Sequence, residues 1–231
     1  MTDALHRLSR ALGYEFRDAR LLDQALTHRS LGAFNNERLE FLGDGLLNFV
    51  AGAALYELKP KEDEGPLSRL RASLVREESL AKIARDLNLG DVLKLGESEL
   101  KSGGFRRDSI LADALEALLG AVYLDAGFEA ARAVTLKLLG SLLDNLPDPQ
   151  TLKDPKTLLQ EFLQGDSRPL PQYQILSESG PPHRREFVVR CSLSDADDAA
   201  EASGASRRNA EQRAAELMML TITKKVGGGL I

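Results

Sequence analysis

Asn36-Glu37-Arg38-Leu39-Glu40-Phe41-Leu42-Gly43-Asp44 opens a stretch of apolar and acidic residues that runs on to Leu58 and is stopped by Pro60. On a helix, Glu37, Glu40 and Asp44 fall at i, i+3 and i+7 and share one face within about 60°. Farther along, that face becomes Leu47, Ala51 and Leu55, while Leu39, Leu42, Leu46 and Val50 line the opposite one. A helix apolar on two sides is usually buried. The spacing therefore predicts a long interior helix over 36–58 with three acids pointing the same way at its start.

The neighbouring segments extend the helical pattern. Leu5, Leu8 and Leu12 keep helical spacing, and residues 19–28 form a second amphipathic stretch. Gly65-Pro66 opens another helix, with proline in a first turn where its missing N–H is harmless. Asp108 or Ser109 is placed to cap a helix to about Asp125, which Gly127 ends, and a last helix spans about 129–143. On the helix over 110–124, apolar nearly all round, Asp113 and Glu116 sit at i and i+3. Ala117 and Gly120 beside them are small enough to admit another helix closely. Glu64 lies in a short acidic loop just before a helix. No alternating strand pattern occurs in this half, so residues 1–146 read as an all-α domain.

Residues 147–152, with two prolines and several polar side chains in Asn145-Leu-Pro-Asp-Pro-Gln150, read as a linker. Beyond it Asp154-Pro155 starts a helix to about Gln164, and 173–177 and 186–193 alternate as strands. A weaker strand falls near 199–202, and Ser206 caps a helix to about Lys224. The order α-β-β-β-α predicts a small α+β domain over 153–226.

Composition narrows the function classes. No apolar run approaches the roughly 18 residues of a membrane span, and the first ten residues, MTDALHRLSR, contain no apolar core of an export signal. The single cysteine, Cys191, fits a reducing compartment, so the expectation is a cytoplasmic protein with no membrane partner. The formal charge is −5; residues up to Leu146 hold 19 Lys+Arg against 23 Asp+Glu, and the rest 11 against 12. Neither half is basic, so any nucleic-acid contact must come from a localised basic face.

Carboxylates gathered on central helices repel one another unless something neutralises them. Hard oxygen donors without His or Cys suit Mg²⁺ or Mn²⁺ rather than Zn²⁺. The competing reading is that the acids pair with Arg38, Arg69, Arg71 or Arg76.

NERLEFLGD (36–44) resembles the signature box of the ribonuclease III family. ALTHRS, DEGPLSRLRASLV and LGESELKSGGFRRDSILADALEALLGAVYLD resemble its other blocks. The resemblance implies an endonuclease domain followed by a double-stranded-RNA-binding domain, acting as a homodimer through the endonuclease domain. It puts Glu40, Asp44, Asp113 and Glu116 on the family's metal positions, and Glu37 and Glu64 on its further acids at the cleavage valley. Asp44, Glu116, Glu37 and Glu64 are then the catalytic candidates, with Mg²⁺ as cofactor and Mn²⁺ substituting. Phosphodiester hydrolysis needs an activated water and stabilised charge, which two divalent cations about 4 Å apart can supply without a histidine base. The implied products are 5′-phosphate and 3′-hydroxyl ends with a stagger, from structured ribosomal and other RNA precursors. Gly45 is a departure, since many members carry Ser there. Phe34 and Phe41 are candidates for the dimer seam, although core packing is the plainer reading of each.

The basic candidates are Lys101, Arg106 and Arg107, in a glycine-rich loop one turn before Asp113, where a backbone can approach phosphate. KDPKTLLQEFLQ, GPPHRREFVVRC and GASRRNAEQRAAELML resemble the double-stranded-RNA-binding domain family. That resemblance assigns RNA contacts to Thr157, Gln160 and Glu161 on the first helix, His183 in a loop, and Ser206, Arg207 and Arg208 at a helix N-terminus. There exposed N–H groups already favour phosphate. Asn209 replaces a frequent basic residue, and Asp195, Asp197 and Asp198 add negative charge, so binding by this domain should be weak and salt-dependent. The rival function is a non-catalytic double-stranded-RNA-binding scaffold, against which the presence of all six acids argues. A metal phosphohydrolase of small nucleotides is a third reading, which the C-terminal domain disfavours.

Overall fold

The computed structural model describes residues 3–181 and 184–227, with side chains to Lys224. The chain divides after Leu152 into two units. The first carries helices α1 (Asp3–Leu12), α2 (Ala19–Ala25), α3 (Glu37–Leu58), α4 (Glu64–Val75), α5 (Glu77–Asp86), α6 (Glu97–Lys101), α7 (Asp108–Ala126) and α8 (Phe128–Asp144). Among its described residues the only strand-like feature is an isolated bridge between Thr27 and Lys94. The second unit runs α9 (Pro155–Gly165), β1 (Gln172–Ser179), β2 (Glu186–Ser192), β3 (Ala199–Gly204) and α10 (Arg207–Gly227). The all-α then α-β-β-β-α expectation is met.

Helix α7 is the centre of the first unit. Its side chains from Ile110 to Val122 are buried almost without interruption, the exceptions being Asp113 and Glu116. Against it lies α3, burying Leu39, Leu46, Leu47, Val50, Ala51 and Leu55. The two helices meet backbone to backbone. A Cβ on Gly43 would stand 1.8 Å from the Glu116 carbonyl oxygen, and one on Gly120 would stand 2.2 Å from that of Leu39. No side chain larger than hydrogen fits at either position.

Several details differ from the sequence expectation. Helix α5, which buries Leu80, Ala81, Ile83 and Ala84 with helical spacing, is an additional element. Helix α7 takes no side-chain cap from Asp108 or Ser109; Arg107 holds the cap position, and Asp108 pairs with Arg85 instead. Two faces of α3 are interior as expected, but a third is bare. Phe41 is 83% exposed, and Phe49 and Tyr56 continue its stripe; Phe34 is exposed too. None of these aromatics is core, because both buried faces of α3 are already filled by leucines and valine. Residues 147–152 go with the first unit: Arg69 donates Nε–H to the Pro149 carbonyl, and Leu152 packs on that unit's core.

In the second unit the strands form an antiparallel sheet in the order β1-β2-β3. Val189 faces Ala202 and Cys191 faces Ala200 across β2 and β3, so inward positions alternate as strand geometry demands. Cys191 and Ala200 cover Leu159 and Leu163 of α9 and Ala214, Ala215, Met218 and Ile222 of α10. Asp154 caps α9 by accepting from the Thr157 N–H (3.1 Å), and Ser206 Oγ accepts from the Asn209 N–H at the start of α10 (3.1 Å).

Gly43→Ala should therefore destabilise the first unit by about 3 kcal/mol, because backbone rather than a movable side chain blocks the methyl group. In thermal unfolding this reads as a fall of roughly 10 °C. Gly45→Ser is the matched control, since nothing lies within 4 Å of a Cβ there. Equal melting of both variants would show that the helix crossing tolerates a side chain.

Candidate metal centre and RNA-contacting residues

The close crossing of α3 and α7 brings acids of two helices together. Carboxylate oxygens of Glu40, Asp113 and Glu116 lie within 4.8 Å of one another, each side chain half-buried. Among the described residues no ion pair joins any of them to Lys or Arg. The nearby cations are engaged elsewhere: Arg29 with Glu37 (3.6 Å) and Arg107 with Glu99 (3.1 Å). Arg76 pairs with Glu78 and Arg69 binds the Pro149 carbonyl, so pairing with those arginines does not account for the cluster.

Unneutralised carboxylates hold protons. Burial, then the charges of Asp44, Asp113 and Glu40, push the Glu116 pKa up to about 8. Burial and the neighbouring Asp113 and Glu37 raise Glu40, and burial and Glu77 raise Asp113. Oxygen-only donors at this spacing, poorly solvated and mutually repelling, fit a hard divalent cation.

The other expected acids are placed differently. Glu37 is exposed at the start of α3, held by Arg29 and by Asn35 Nδ2, and shares with Glu40 and Asp113 a cavity of about 240 Å³. Asp44 is outside the group of three. Its carboxylate accepts from Asn48 Nδ2 (2.7 Å), one turn further along α3, while its charge still acts on Glu116. Glu64 begins α4 and lines a separate cavity with Gly52, Tyr56 and Arg71. Sequence reasoning passed over Glu77, Arg29, Glu99 and Ser109, which lie near Asp113 or line its cavity. The blocks around Arg29 and Glu99 carried the only signal. His28 is a cap, its Nδ1 accepting from the Ser30 N–H.

The basic candidates are exposed or partly so, and several are already paired. Lys101 ends α6 and pairs with Glu97 (2.6 Å), and Arg106 lies over the Phe105 ring. In the second unit Thr157, partly exposed, donates its hydroxyl to Asp154 (2.9 Å). Gln160 is exposed, Glu161 pairs with Lys153, and Arg207 donates Nε–H to Glu211 (2.7 Å). Ser206 and Arg208 are exposed at the start of α10. His183 lies outside the described residues.

Residues 18–142 match the Ribonuclease-III-like family, and residues 155–222 match the double-stranded RNA binding motif. "Ribonuclease 3" of Pseudomonas syringae pv. syringae is 55% identical over 222 residues, covering 96% of this chain and 97% of that protein. The chain belongs to the ribonuclease III family. "Ribonuclease 3" of Vibrio vulnificus is 52% identical over 223 residues, covering 96% and 99% of the two chains. The crystal structure of the nuclease domain of ribonuclease III from Campylobacter jejuni is also similar, with 49% identity and a TM-score of 0.59. It covers 62% of this chain and 97% of that one. As a ribonuclease III, the chain is an endoribonuclease of double-stranded RNA, with a helical nuclease domain ahead of its RNA-binding domain. Among the described residues no helix is long and apolar enough to cross a membrane.

The raised carboxyls fix a pH dependence. Between the ordinary value of 4.5 and about 8, folded Glu116 keeps a proton that the unfolded chain has released. Stability of the metal-free protein therefore falls as pH rises through that window. A divalent cation displaces the proton, so its stabilisation should be small at pH 5.5 and larger at pH 8.5. It amounts to about 2.7 kcal/mol at a hundred times the dissociation constant. Thermal melts with and without Mg²⁺ at the two pH values measure this. In Glu116→Gln both the metal effect and its pH dependence should shrink; an undiminished effect would put the cation elsewhere.

Proposed function

We propose that this ribonuclease III hydrolyses both strands of its RNA at a centre formed by Glu40, Asp44, Asp113 and Glu116, with Glu37 and Glu64 as further acids of the cleavage valley. The observation that carries the reading is the grouping of Glu40, Asp113 and Glu116 within 4.8 Å without a cationic partner among the described residues. Oxygen donors alone make Mg²⁺ the cofactor, with Mn²⁺ able to substitute. When bound, the metal supplies an activated water and offsets charge developing on the phosphate, giving 5′-phosphate and 3′-hydroxyl ends.

The protein's own groups do the rest. Glu40, Asp113 and Glu116 fix the centre from two helices that cannot slide, since their backbones touch. Glu116, protonated near neutral pH, would have to give up its proton to hold a cation. Asp44, now accepting from Asn48, would have to release that hydrogen bond to serve as a further ligand. Arg29 and Arg107, in the cavity beside Asp113, face the strand being cut. Lys101, Arg106, Thr157, Gln160, Glu161, His183, Ser206, Arg207 and Arg208 bind the duplex through phosphates and 2′-hydroxyls.

Two copies pair through the bare face of α3. Phe41, Phe49, Tyr123 and Phe128 line an apolar hollow of about 360 Å³, and large exposed apolar surface of this kind is normally covered. The nuclease domain of the Campylobacter jejuni ribonuclease III has a region involved in dimer formation. A twofold dimer offers one carboxylate set to each RNA strand, which yields the stagger. The buried, unpaired Cys191 agrees with a reducing cytoplasm, where structured ribosomal and other RNA precursors are the substrates.

With a labelled duplex and Mg²⁺, Glu116→Gln should cut about a hundredfold more slowly or worse, while binding in EDTA is unchanged. Equal cutting by the variant would refute the ligand assignment. Absence of Mg²⁺-dependent cutting by the unaltered protein would favour the scaffold reading. Separately, Phe41→Glu should sediment as a monomer and lose cleavage; a variant that stays dimeric would move the seam off α3.

A further inference from the structure

Glu211 is an acid in the wrong place for a phosphate-binding surface. It stands one turn into α10, next to Arg207, and its side chain is only 11% exposed. Its oxygens accept from Arg207 Nε (2.7 Å) and from Lys156 Nζ of α9 (2.6 Å). Burial works against its ionisation, yet the hydrogen bonds from Lys156 and Arg207 hold its pKa below the usual carboxylate range. Beside it, Gln212 accepts from the Lys156 N–H (3.0 Å) and donates to Asp154 (2.9 Å), the residue that caps α9 and receives the Thr157 hydroxyl. Lys156 is fixed from a second side, its Nζ lying 4.4 Å from the centre of the Tyr173 ring. A continuous polar network thus ties the start of α9 to the start of α10.

These two helix ends carry the residues read above as RNA contacts, Thr157 and Gln160 on one and Ser206 to Arg208 on the other. A domain that reads A-form shape needs its contact points held at a fixed separation, because the duplex presents fixed groove and phosphate spacings. We propose that Glu211 is the positioning residue of this RNA-binding domain. It locks α9 to α10 through Lys156 and holds Arg207 by Nε so that the guanidinium's remaining N–H groups face phosphate. The inference rests on the reading of Arg207 and Arg208 as RNA contacts. Lys156, by the same geometry, is a structural cation and not a phosphate ligand.

The test turns on a difference of sign. By Coulomb's law alone, Glu211→Gln removes a negative charge near phosphates and should tighten binding, by about twofold at a separation near 8 Å in water. If Glu211 positions Arg207, the same variant should weaken binding about tenfold, the scale of one lost charge-assisted hydrogen bond. It should also lower the slope of log K against log salt by about 1, as one phosphate contact is lost. Full-length protein in EDTA is titrated onto a fluorescent duplex longer than the domain's footprint of about 16 base pairs. Circular dichroism and a melt show whether the variant is folded at the assay temperature. Should Glu211→Gln unfold the domain, Glu211→Asp, which keeps the charge but shortens its reach, is measured the same way and should also weaken binding.

Arg207→Ala alone and combined with Glu211→Gln completes the cycle. Positioning through Arg207 predicts that Glu211→Gln weakens binding less once Arg207 is gone, the remainder being the lost lock through Lys156. Unchanged or tighter binding by folded Glu211→Gln, or a full additive loss in the double variant, overturns the positioning role while leaving the contact reading intact. Undiminished binding and salt slope in Arg207→Ala with Arg208→Ala overturn the contact reading itself, and the inference with it.

Discussion

The acid cluster of the first unit depends on two helices whose backbones touch. Gly43 of α3 and Gly120 of α7 leave no room for a Cβ, and the atom that would block Gly43 is the carbonyl oxygen of Glu116 itself. The residue with the most raised carboxyl is thus also a contact point of the crossing. Repulsion among Glu40, Asp113 and Glu116 pushes the helices apart, while burial of the surrounding leucines holds them together. Each fully buried leucine contributes on the order of 2 kcal/mol, and α7 buries Leu111, Leu115, Leu118 and Leu119 nearly completely. Protonation of Glu116 relieves what repulsion remains. The core can therefore keep an electrostatically unfavourable group of acids assembled before any cation arrives.

The same crossing leaves one face of α3 bare. With one face of α3 against α7 and another filling the leucine core, Phe41, Phe49 and Tyr56 stay exposed on a third. Phe49 stacks edge-on with Phe128 from the start of α8, which extends the apolar surface beyond one helix. Asp44 sits at the border of that surface, lining the same hollow as Phe41 and Gly45. A copy covering the hollow would take water away from Asp44 and strengthen its pull on a cation.

What the sequence made legible follows from the range of the interactions. Periodicity fixes which way Glu40 points on one helix and Asp113 and Glu116 on the other, because both helices are long and strongly apolar; that the two sets meet was legible only through the family resemblance. Gly120 could be read as a close approach from the same periodicity. Asp44 shares the periodicity, but its rotamer is set by Asn48 at i+4, and spacing does not choose between that hydrogen bond and the cluster. Glu77 comes near Asp113 only because α5 packs on α7, a tertiary event with no local signature. The strands of the second unit were visible through alternation, whereas the irregular register between Ile175 and Ser177 was not. For Phe41 the chemistry leaves core and seam open, with core the plainer reading; filled faces on either side of it rule out the core.

Charge is handled in opposite ways in the two units, and this reconciles an acidic chain with an anionic substrate. The first unit keeps three acids unpaired at close range, a setting that suits a hard divalent cation. The RNA-binding domain does the reverse, matching cations to acids: Lys156 and Arg207 with Glu211, Arg168 with Asp195, Arg185 with Glu178, Arg190 with Glu201. Little net field is left to gather counterions or draw a polyanion from a distance. Attraction then falls to a few exposed groups such as Arg208 and the helix N–H groups beside it, and these act only within hydrogen-bond reach. A surface of that kind binds by fit, so errors in spacing weaken it more than the loss of one distant charge does. Rigidity between α9 and α10 is, on this argument, what lets a domain without a basic excess recognise a duplex.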